Sequence, residues 1–333
     1  MLLLDGCFIV EFVIRSYFSY HGRGQQYICD PIFKICGIED NIVRDMLLLE
    51  NQLPFFVLLI LYGMIRNGDN PEFSEMVKIA FRNKVPKMNI KSLLKTEVNP
   101  QEVKHLLQIV HILCQPQPQN NGQIQQQKAC SSPSSCCFWK KPQAQGQASE
   151  LQEAGVDFKK VGKIRNTSSD QPISLFDIKF NNHGVLEIPT FALHDPTETF
   201  FRNLIAYEQH SPDVHPMYFT DYAKFMDDLI NTEKDVNLLR LKHVFENGLG
   251  DDKEVTRLFN DICKGVTYYR DVFYYKDVYK ELNQHCKKPR NVLMARLRRD
   301  YFHTPWAGIS TFAAILLLSL TIAQTVLSAL GLQ

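Results

Sequence analysis

The hydrophobic pattern is most continuous at the end of the chain, where residues 306–333 contain no charged residue. As a helix, the 26-residue run AGISTFAAILLLSLTIAQTVLSALGL would be about 39 Å long, whereas the hydrocarbon core of a bilayer is about 30 Å thick. A core helix of a soluble protein usually keeps a polar face, which this run lacks. The pattern therefore predicts one transmembrane helix over residues 305–332.

A basic cluster precedes this predicted span. Positive residues beside a span favour the cytoplasmic side, and near a bilayer each attracts anionic headgroups by about 1 kcal/mol. The cluster can orient the span, bind headgroups, or do both. We expect the chain to bind a lipid bilayer, in the plasma membrane or an endomembrane, with its bulk in the cytoplasm. The predicted membrane-flanking residues are Lys287, Lys288, Arg290, Arg296, Arg298, Arg299 and Trp306.

Residues 1–114 have apolar positions at helical spacing. The uncharged stretch from Asn51 to Ile65 is too short to cross a bilayer, and Pro54 within it indicates a kinked core helix. Asn99, Pro100 and Glu102 have the spacing of a helix start, which predicts a helix over 101–114. The predicted core comprises Phe8, Phe12, Leu47, Leu48, Leu49, Leu53, Phe55, Phe56, Leu58, Phe200, Phe201 and Leu204.

Residues 115–149 interrupt this pattern. They contain ten Gln, five Ser and four Pro, and so little apolar side chain that burial cannot offset the entropy lost on ordering. We expect a disordered linker here. Its cysteines beside a Lys pair could carry reversible acylation, but an unmodified segment is the simpler expectation. These cysteines are Cys130, Cys136 and Cys137.

Residues 150–300 combine a few strand-like segments with several helices. The alternation in 174–180 and 185–188, separated by turn residues 181–184, predicts a hairpin. Asp195 followed by Pro196 predicts the start of a helix. The fold class is predicted to be mainly α, an α+β fold with a small antiparallel hairpin sheet and a C-terminal transmembrane helix. Residues 1–114 and 150–300 are expected to form one domain.

Composition excludes several functional classes. Lys plus Arg (37) nearly balances Asp plus Glu (36), so the chain has no overall basic field and we expect no nucleic-acid partner. The nine cysteines are odd in number and show no framework spacing, which agrees with a reducing compartment. Dinucleotide, P-loop, serine-hydrolase and zinc-protease motifs are all missing from the sequence. We expect no catalytic, cofactor-binding or metal-binding residues.

Two groups of residues support a competing interpretation, a membrane-tethered enzyme. Carboxylates within apolar helices could form an acid–base or metal site, but the helical Glu-x-x-His partner of such sites is missing from that half. Loop histidines could assist them, although loop histidines are more often on the surface. The carboxylates are Asp5, Glu11, Asp45 and Glu50, and the histidines are His183, His194, His210 and His215.

Several ordered sequence blocks resemble the plant family known as domain of unknown function 247. They are MLLLDGCFIVEFVIR, DPIF, DMLLLENQLPFFVL, ELQEAGVDFKK, DIKFNNHGVLEIP, TETFFRNLIAYEQ, FMDDLINTEKDV, LFNDIC and YFHTPWAGIS. The resemblance covers nearly the whole chain outside the Gln-rich segment. It implies a single-pass protein with a C-terminal anchor and no established active site. Some grass members are implicated in self-incompatibility, which suggests a recognition role.

Family members usually carry a further region before the LLLDGCFI block, and this chain begins inside that block. We therefore expect part of the usual core to be missing, and a truncated, inactive product is one alternative. The main expectation is a membrane-anchored protein that acts by protein–protein recognition or signalling, with an unknown protein partner. An exposed apolar patch would favour recognition, whereas polar groups converging in a concave pocket would favour the enzyme.

Overall fold

Helices dominate the computed structural model, which describes residues 2–22, 30–35, 37–66, 68, 70–82, 96–116, 146–161, 174–268, 272–289, 291, 293 and 305–331. The helices are α1 (Leu2–Tyr20), α2 (Pro31–Lys34), α3 (Ile38–Met46), α4 (Phe55–Ile65), α5 (Phe73–Ala80), α6 (Leu106–Cys114), α7 (Ala148–Glu153), α8 (Pro196–His210), α9 (Tyr218–Leu229), α10 (Glu233–Leu241), α11 (Asp252–Ile262), α12 (Lys276–Cys286) and α13 (Pro305–Ala329). A 3-10 turn, Leu49–Asn51, precedes α4. The strands are β1 (Asp157–Val161), β2 (Lys179–Phe180), β3 (Val185–Pro189), β4 (Phe191–Leu193) and β5 (Phe245–Asn247).

Helix α1 packs against α4 and α5. Its buried face repeats at helical spacing through Ile9, Val10 and Val13. Gly6 lies on this face, and a Cβ added there would be 2.7 Å from Leu61 Cδ1. The missing side chain therefore lets α1 approach α4 closely.

Two helix boundaries differ from the sequence prediction. Pro54 does not kink a helix, because α4 begins immediately after it and the Phe55 N–H donates to the Lys104 carbonyl at 2.7 Å. The helix predicted to begin near Asn99 begins only at Leu106, and Asn99 forms a local turn in which its side chain accepts the Gln101 N–H. Tertiary contacts of the intervening backbone, which a local pattern does not show, account for the later start.

The predicted core is partly right. Phe12, Leu47, Phe55, Leu58, Phe201 and Leu204 are buried, and Leu48, Leu49, Leu53 and Phe200 are half-buried. The prediction is wrong for Phe8 and Phe56, whose exposed fractions are 45% and 62%. Phe56 follows Phe55 directly, so the 100° turn per residue carries it away from the buried face of α4.

The mainly α fold class is confirmed, and the small sheets are more varied than a hairpin. Strands β2 and β3 pair antiparallel around the predicted turn, where Gly184 has φ +80° and Asn181 Oδ1 accepts the His183 and Val185 N–H groups. However, β1 adds to β3 in parallel, and β4 pairs with β5 in parallel. Parallel partners are distant in sequence, so their pairing leaves no turn signal to read.

Aromatic side chains join α9 to α12. Tyr279 stacks on Phe225 and Phe273, with centroid separations of 5.2 and 5.3 Å, and its hydroxyl donates to Asp228 at 2.9 Å. Tyr275 is buried, and its hydroxyl donates to the Phe176 carbonyl at 3.2 Å. These contacts fix α12 to the body of the protein.

Buried residues from before and after residues 117–145 belong to one hydrophobic cluster, in which α6 contacts α8. The far boundary of the predicted linker is too late, because α7 begins at Ala148 and Ala148 is fully buried. Residues 117–145, and with them Cys130, Cys136 and Cys137, lie outside the described residues. The division of the chain into 1–114, 115–149, 150–300 and 305–332 otherwise stays a prediction.

Candidate functional site

Helix α4 exposes an apolar surface. All eleven residues of α4 are uncharged, and only one side of the helix is buried, by Phe55, Leu58 and Tyr62. On the other side Phe56, Ile60 and Met64 have exposed fractions of 62%, 55% and 75%. A helix that is apolar all round normally has every side covered. Here one side is open.

The start of α1 is also apolar and exposed. Leu2 and Leu3 lie about one helical turn before Gly6, the residue that packs on Leu61, and their exposed fractions are 68% and 64%. We define the α4 face as Phe56, Ile60, Gly63 and Met64, which share one side of the helix. At roughly 200 Å² for each large side chain, the face exposes on the order of 400 Å². Typical monomers have largest apolar patches of about 300–600 Å².

Helix α13 is the second exposed apolar feature. Within the residues that the structure describes, it is the one helix long and apolar enough to cross a membrane, and the side chains from Phe312 to Ala329 are not buried. It contains no charged residue. At 1.5 Å per residue its 25 residues are about 37 Å long.

The predicted membrane-flanking residues are only partly described. Lys287 follows the last turn of α12 as its C-cap, and Lys288 is the next residue; both are exposed. Trp306 lies in the first turn of α13. Arg290, Arg296, Arg298 and Arg299 lie outside the described residues. Lys287 also suits the negative end of the α12 dipole, which is a local reason for a basic residue there.

A buried His–Glu pair lies at the junction of α6, α8 and α9. His111 Nε2 is 2.8 Å from Glu208 Oε1, and both side chains are at most 2% exposed. The Glu208 carboxylate also accepts the Phe219 N–H at 3.0 Å and the Thr220 N–H at 2.8 Å. These are free N–H groups of the first turn of α9, so Glu208 caps that helix. Its three donors give Glu208 a structural role.

Two further carboxylates, Asp221 and Asp235, have pKa values that are shifted in opposite directions. Burial raises the pKa of Asp221 well above its ordinary value, although Asp221 accepts the Tyr274 N–H at 2.7 Å. Burial also acts on Asp235, but hydrogen bonds from Ser149 and Thr232 outweigh it and lower the pKa of that carboxyl. The Ser149 N–H donates to Asp235 at 2.9 Å, which ties α7 to α10.

The residues of the enzyme interpretation lie on the surface. Asp5, Asp45 and Glu50 are exposed, and Glu11 is half-buried beside Arg15 at 2.7 Å. The four histidines predicted to lie in loops, His183, His194, His210 and His215, are exposed as well, and His210 is the last residue of α8. Within the described ranges no three His, Cys, Asp or Glu side chains are placed to hold a metal ion.

Sequence reasoning missed the buried polar residues. His111 and Glu208 each interrupt an apolar helical face, HLLQIVHILC and FFRNLIAYEQ, and that interruption was the available signal.

Sequence reasoning also missed a concave polar groove. It is open to solvent, and Arg240 within it binds Asp252 through two contacts of 3.1 Å. The groove is lined by Glu233, Lys234, Asn237, Arg240, Asn247, Gly250, Asp251 and Asp252.

Comparison with known proteins places this geometry in a family context. Residues 1–320 match the model of DUF247, described as plant protein of unknown function. The UPF0481 protein At3g47200 of Arabidopsis thaliana is 31% identical over 342 residues, which cover 99% of this chain and 68% of that protein. The putative UPF0481 protein At3g02645 of Arabidopsis thaliana is 32% identical over 178 residues, or 53% of this chain and 31% of that protein. No solved structure matches the chain.

Proposed function

The chain belongs to the DUF247 family of plant proteins, and from that premise we propose that it is a membrane-anchored protein that acts by recognising another protein. Helix α13 supplies the anchor in this proposal, and the α4 face supplies the recognition surface. The bulk of the chain lies in the cytoplasm, beside the plasma membrane or an endomembrane. Lys287 and Lys288 support this orientation, since basic residues beside a span favour the cytoplasmic side.

The observation that carries the recognition role is the exposed side of α4. Burying one large apolar side chain contributes about 1.5–3 kcal/mol, so leaving Phe56, Ile60 and Met64 open forgoes a large stabilisation. The largest apolar patch of a typical monomer has about this size and is often functional.

Site-specific photo-crosslinking tests this role. A photoreactive amino acid is introduced at Ile60 of the full-length chain in plant membranes, and a matched variant carries it at Leu241 on α10, an apolar residue with a similar exposed fraction of 64%. We expect a discrete protein adduct from position 60 that disappears on Phe56→Glu, and none from position 241. Lipid adducts alone, or equal adducts from both positions, would contradict the proposal.

A further inference from the structure

His105 caps helix α6 with its imidazole ring. The residue lies immediately before α6, and its Nδ1 accepts the Gln108 N–H at 3.2 Å. A backbone N–H can only donate a hydrogen bond, so Nδ1 must carry a free lone pair and the ring proton must lie on Nε2. The usual helix caps are Ser, Thr, Asp and Asn, which accept through oxygen. An imidazole is an acceptor at this position only while it is neutral.

The cap belongs to a reciprocal set of hydrogen bonds around Lys104. Gln108 Oε1 accepts the Lys104 N–H at 2.7 Å, and the Gln108 N–H is shared between the ring and the carbonyl of His105. The Lys104 carbonyl accepts the Phe55 N–H at 2.7 Å, and Phe55 is the first residue of α4. The start of α6 therefore holds the start of α4, directly beside Phe56 of the α4 face.

The groups around the ring oppose a positive charge there. Burial and the neighbouring Lys104 ammonium lower the pKa of His105 to about 4. Tyr207 of α8 meets the ring edge-on at a centroid distance of 5.1 Å, and it is uncharged because burial raises its pKa. Glu208 of α8 caps α9 instead, and Asp213, in the loop after α8, is 3.5 Å from Lys104 Nζ.

The 3-10 turn that reaches the start of α6 supplies no counter-ion either. Gln52, at the end of this turn, accepts the Leu107 N–H at 3.0 Å with a neutral amide, and Glu50 is exposed. Among the described residues, no carboxylate forms an ion pair with the His105 ring. A protonated ring would thus lack a counter-ion and would lie at the positive end of the α6 dipole.

We propose that His105 is an acid-sensitive latch, whose protonation releases the start of α6 and, through Lys104, the first turn of α4. The protonated Nδ1 would point an N–H at the Gln108 N–H, and two donors repel each other. In the opened segment the ring meets water and titrates at the ordinary value of about 6.5. The closed latch is therefore favoured most above about pH 6.5, and this advantage is lost as the pH falls from there to about 4.

Hydrogen–deuterium exchange of the full-length chain in detergent micelles tests the latch. Overlapping peptides report the protection of Gln108 and Phe55, corrected for the effect of pH on the intrinsic exchange rate. Between pH 7.5 and pH 5 we expect a roughly thirtyfold loss of protection at Gln108, and a loss in the same direction at Phe55. Helix α11 is the control within the same molecule, because a carboxylate, Asp251, caps it through the Lys253 N–H.

His105→Asn is the matched variant, since an amide oxygen caps a helix but does not titrate. Its protection at Gln108 should change by less than about threefold over the same pH range. His111 lies on the same helix, so a loss as large as in the parent chain would assign the effect to other groups and overturn the latch. Equal responses of α6 and α11 in the parent chain would overturn it as well, whether or not the variant folds. A response at Gln108 without one at Phe55 would overturn the link to α4.

Discussion

His111 Nε2 lies 2.8 Å from Glu208 Oε1, and this contact joins two buried side chains that are 97 residues apart in sequence. His111 precedes the Gln-rich segment, and Glu208 follows it. Removing one member of a buried pair on its own is strongly destabilising, because the other group is then left without its hydrogen bond. The pair therefore couples the folding of the two parts of the chain.

Glu208→Leu should lower the free energy of unfolding by about 3–5 kcal/mol, because His111 and the two N–H groups at the start of α9 lose their acceptor. The measurement is urea denaturation in detergent micelles. Glu198→Ala on the same helix is the control. Its partner Arg202 is exposed, so the change should stay within about 0.5 kcal/mol. Equal effects of the two substitutions would refute the structural role of Glu208.

Gly6→Val should destabilise the protein by about 1–3 kcal/mol, since its Cβ would lie 2.7 Å from Leu61 Cδ1 and force α1 away from α4. Gly63→Ala on α4 is the matched control, and it should leave stability unchanged or raise it by up to about 1 kcal/mol. Thermal unfolding of the monomeric chain measures both. A neutral Gly6→Val would mean that α1 does not rest on α4 at this point.

Asp235 and Asp221 should make the free energy of unfolding change with pH in opposite directions. The folded-state pKa of Asp235 is lowered, so its contribution is present above its ordinary pKa near 4 and is lost as the pH falls below it. Asp235→Asn should therefore be most harmful at pH 7, and its effect should shrink below pH 3. The pKa of Asp221 is raised, so its charged form opposes folding as the pH rises above 4.

Asp221→Asn should thus gain stability relative to the parent chain between pH 4 and pH 7, because an amide oxygen can still accept the Tyr274 N–H. Urea midpoints measured from pH 3 to pH 8 for both variants check the two slopes. Slopes of the same sign would show that the environment of one carboxylate has been assigned wrongly.

Cleavage in the Gln-rich segment should leave the protein assembled. A site-specific protease sequence inserted after Ser132 would allow one cut between α6 and α7. The His111–Glu208 and Ser149–Asp235 contacts, together with the shared hydrophobic cluster, should keep the fragments together. Size-exclusion chromatography under native conditions would detect a single peak that contains both fragments. Two peaks would mean that residues 1–114 and 150–300 are independent domains.

Removal of α13 should release the chain from membranes. Alkaline carbonate extraction of plant microsomes is expected to leave the full chain in the pellet and a chain ending at Asp300 in the supernatant. The reason is that α13 holds the long uncharged run of the sequence. Pelleting of both chains alike would reject the anchor, and the α4 face would then be the first alternative membrane contact to examine.

Local patterns predicted several local features. The long uncharged run gave α13, Asp195 and Pro196 marked the start of α8, and turn residues 181–184 marked the β2–β3 hairpin. In each case the physical cause is contained within a few consecutive residues. The resemblance of the ordered sequence blocks also identified the family, which the match over residues 1–320 confirms.

Features that depend on distant residues were not predictable in this way. The parallel pairing of β1 with β3 and the His111–Glu208 contact both join positions that no short pattern relates. The candidate site shows the same limit. Helix α4 is apolar all round, so its sequence predicts burial on every side and cannot tell that Phe56, Ile60 and Met64 remain open. The packing of α1 and α5 against the other side of α4 decides that.

The Ser149–Asp235 hydrogen bond has a practical consequence for imaging this protein in living cells. The chain re-enters the core at α7, whose first turn Asp235 holds in place, and it leaves the core after α6, which His111 holds in place. A fluorescent protein inserted near Ser132 would thus be joined to two fixed ends, without touching α13 or the α4 face. Such a reporter would follow the protein while both exposed apolar surfaces keep their natural sequence.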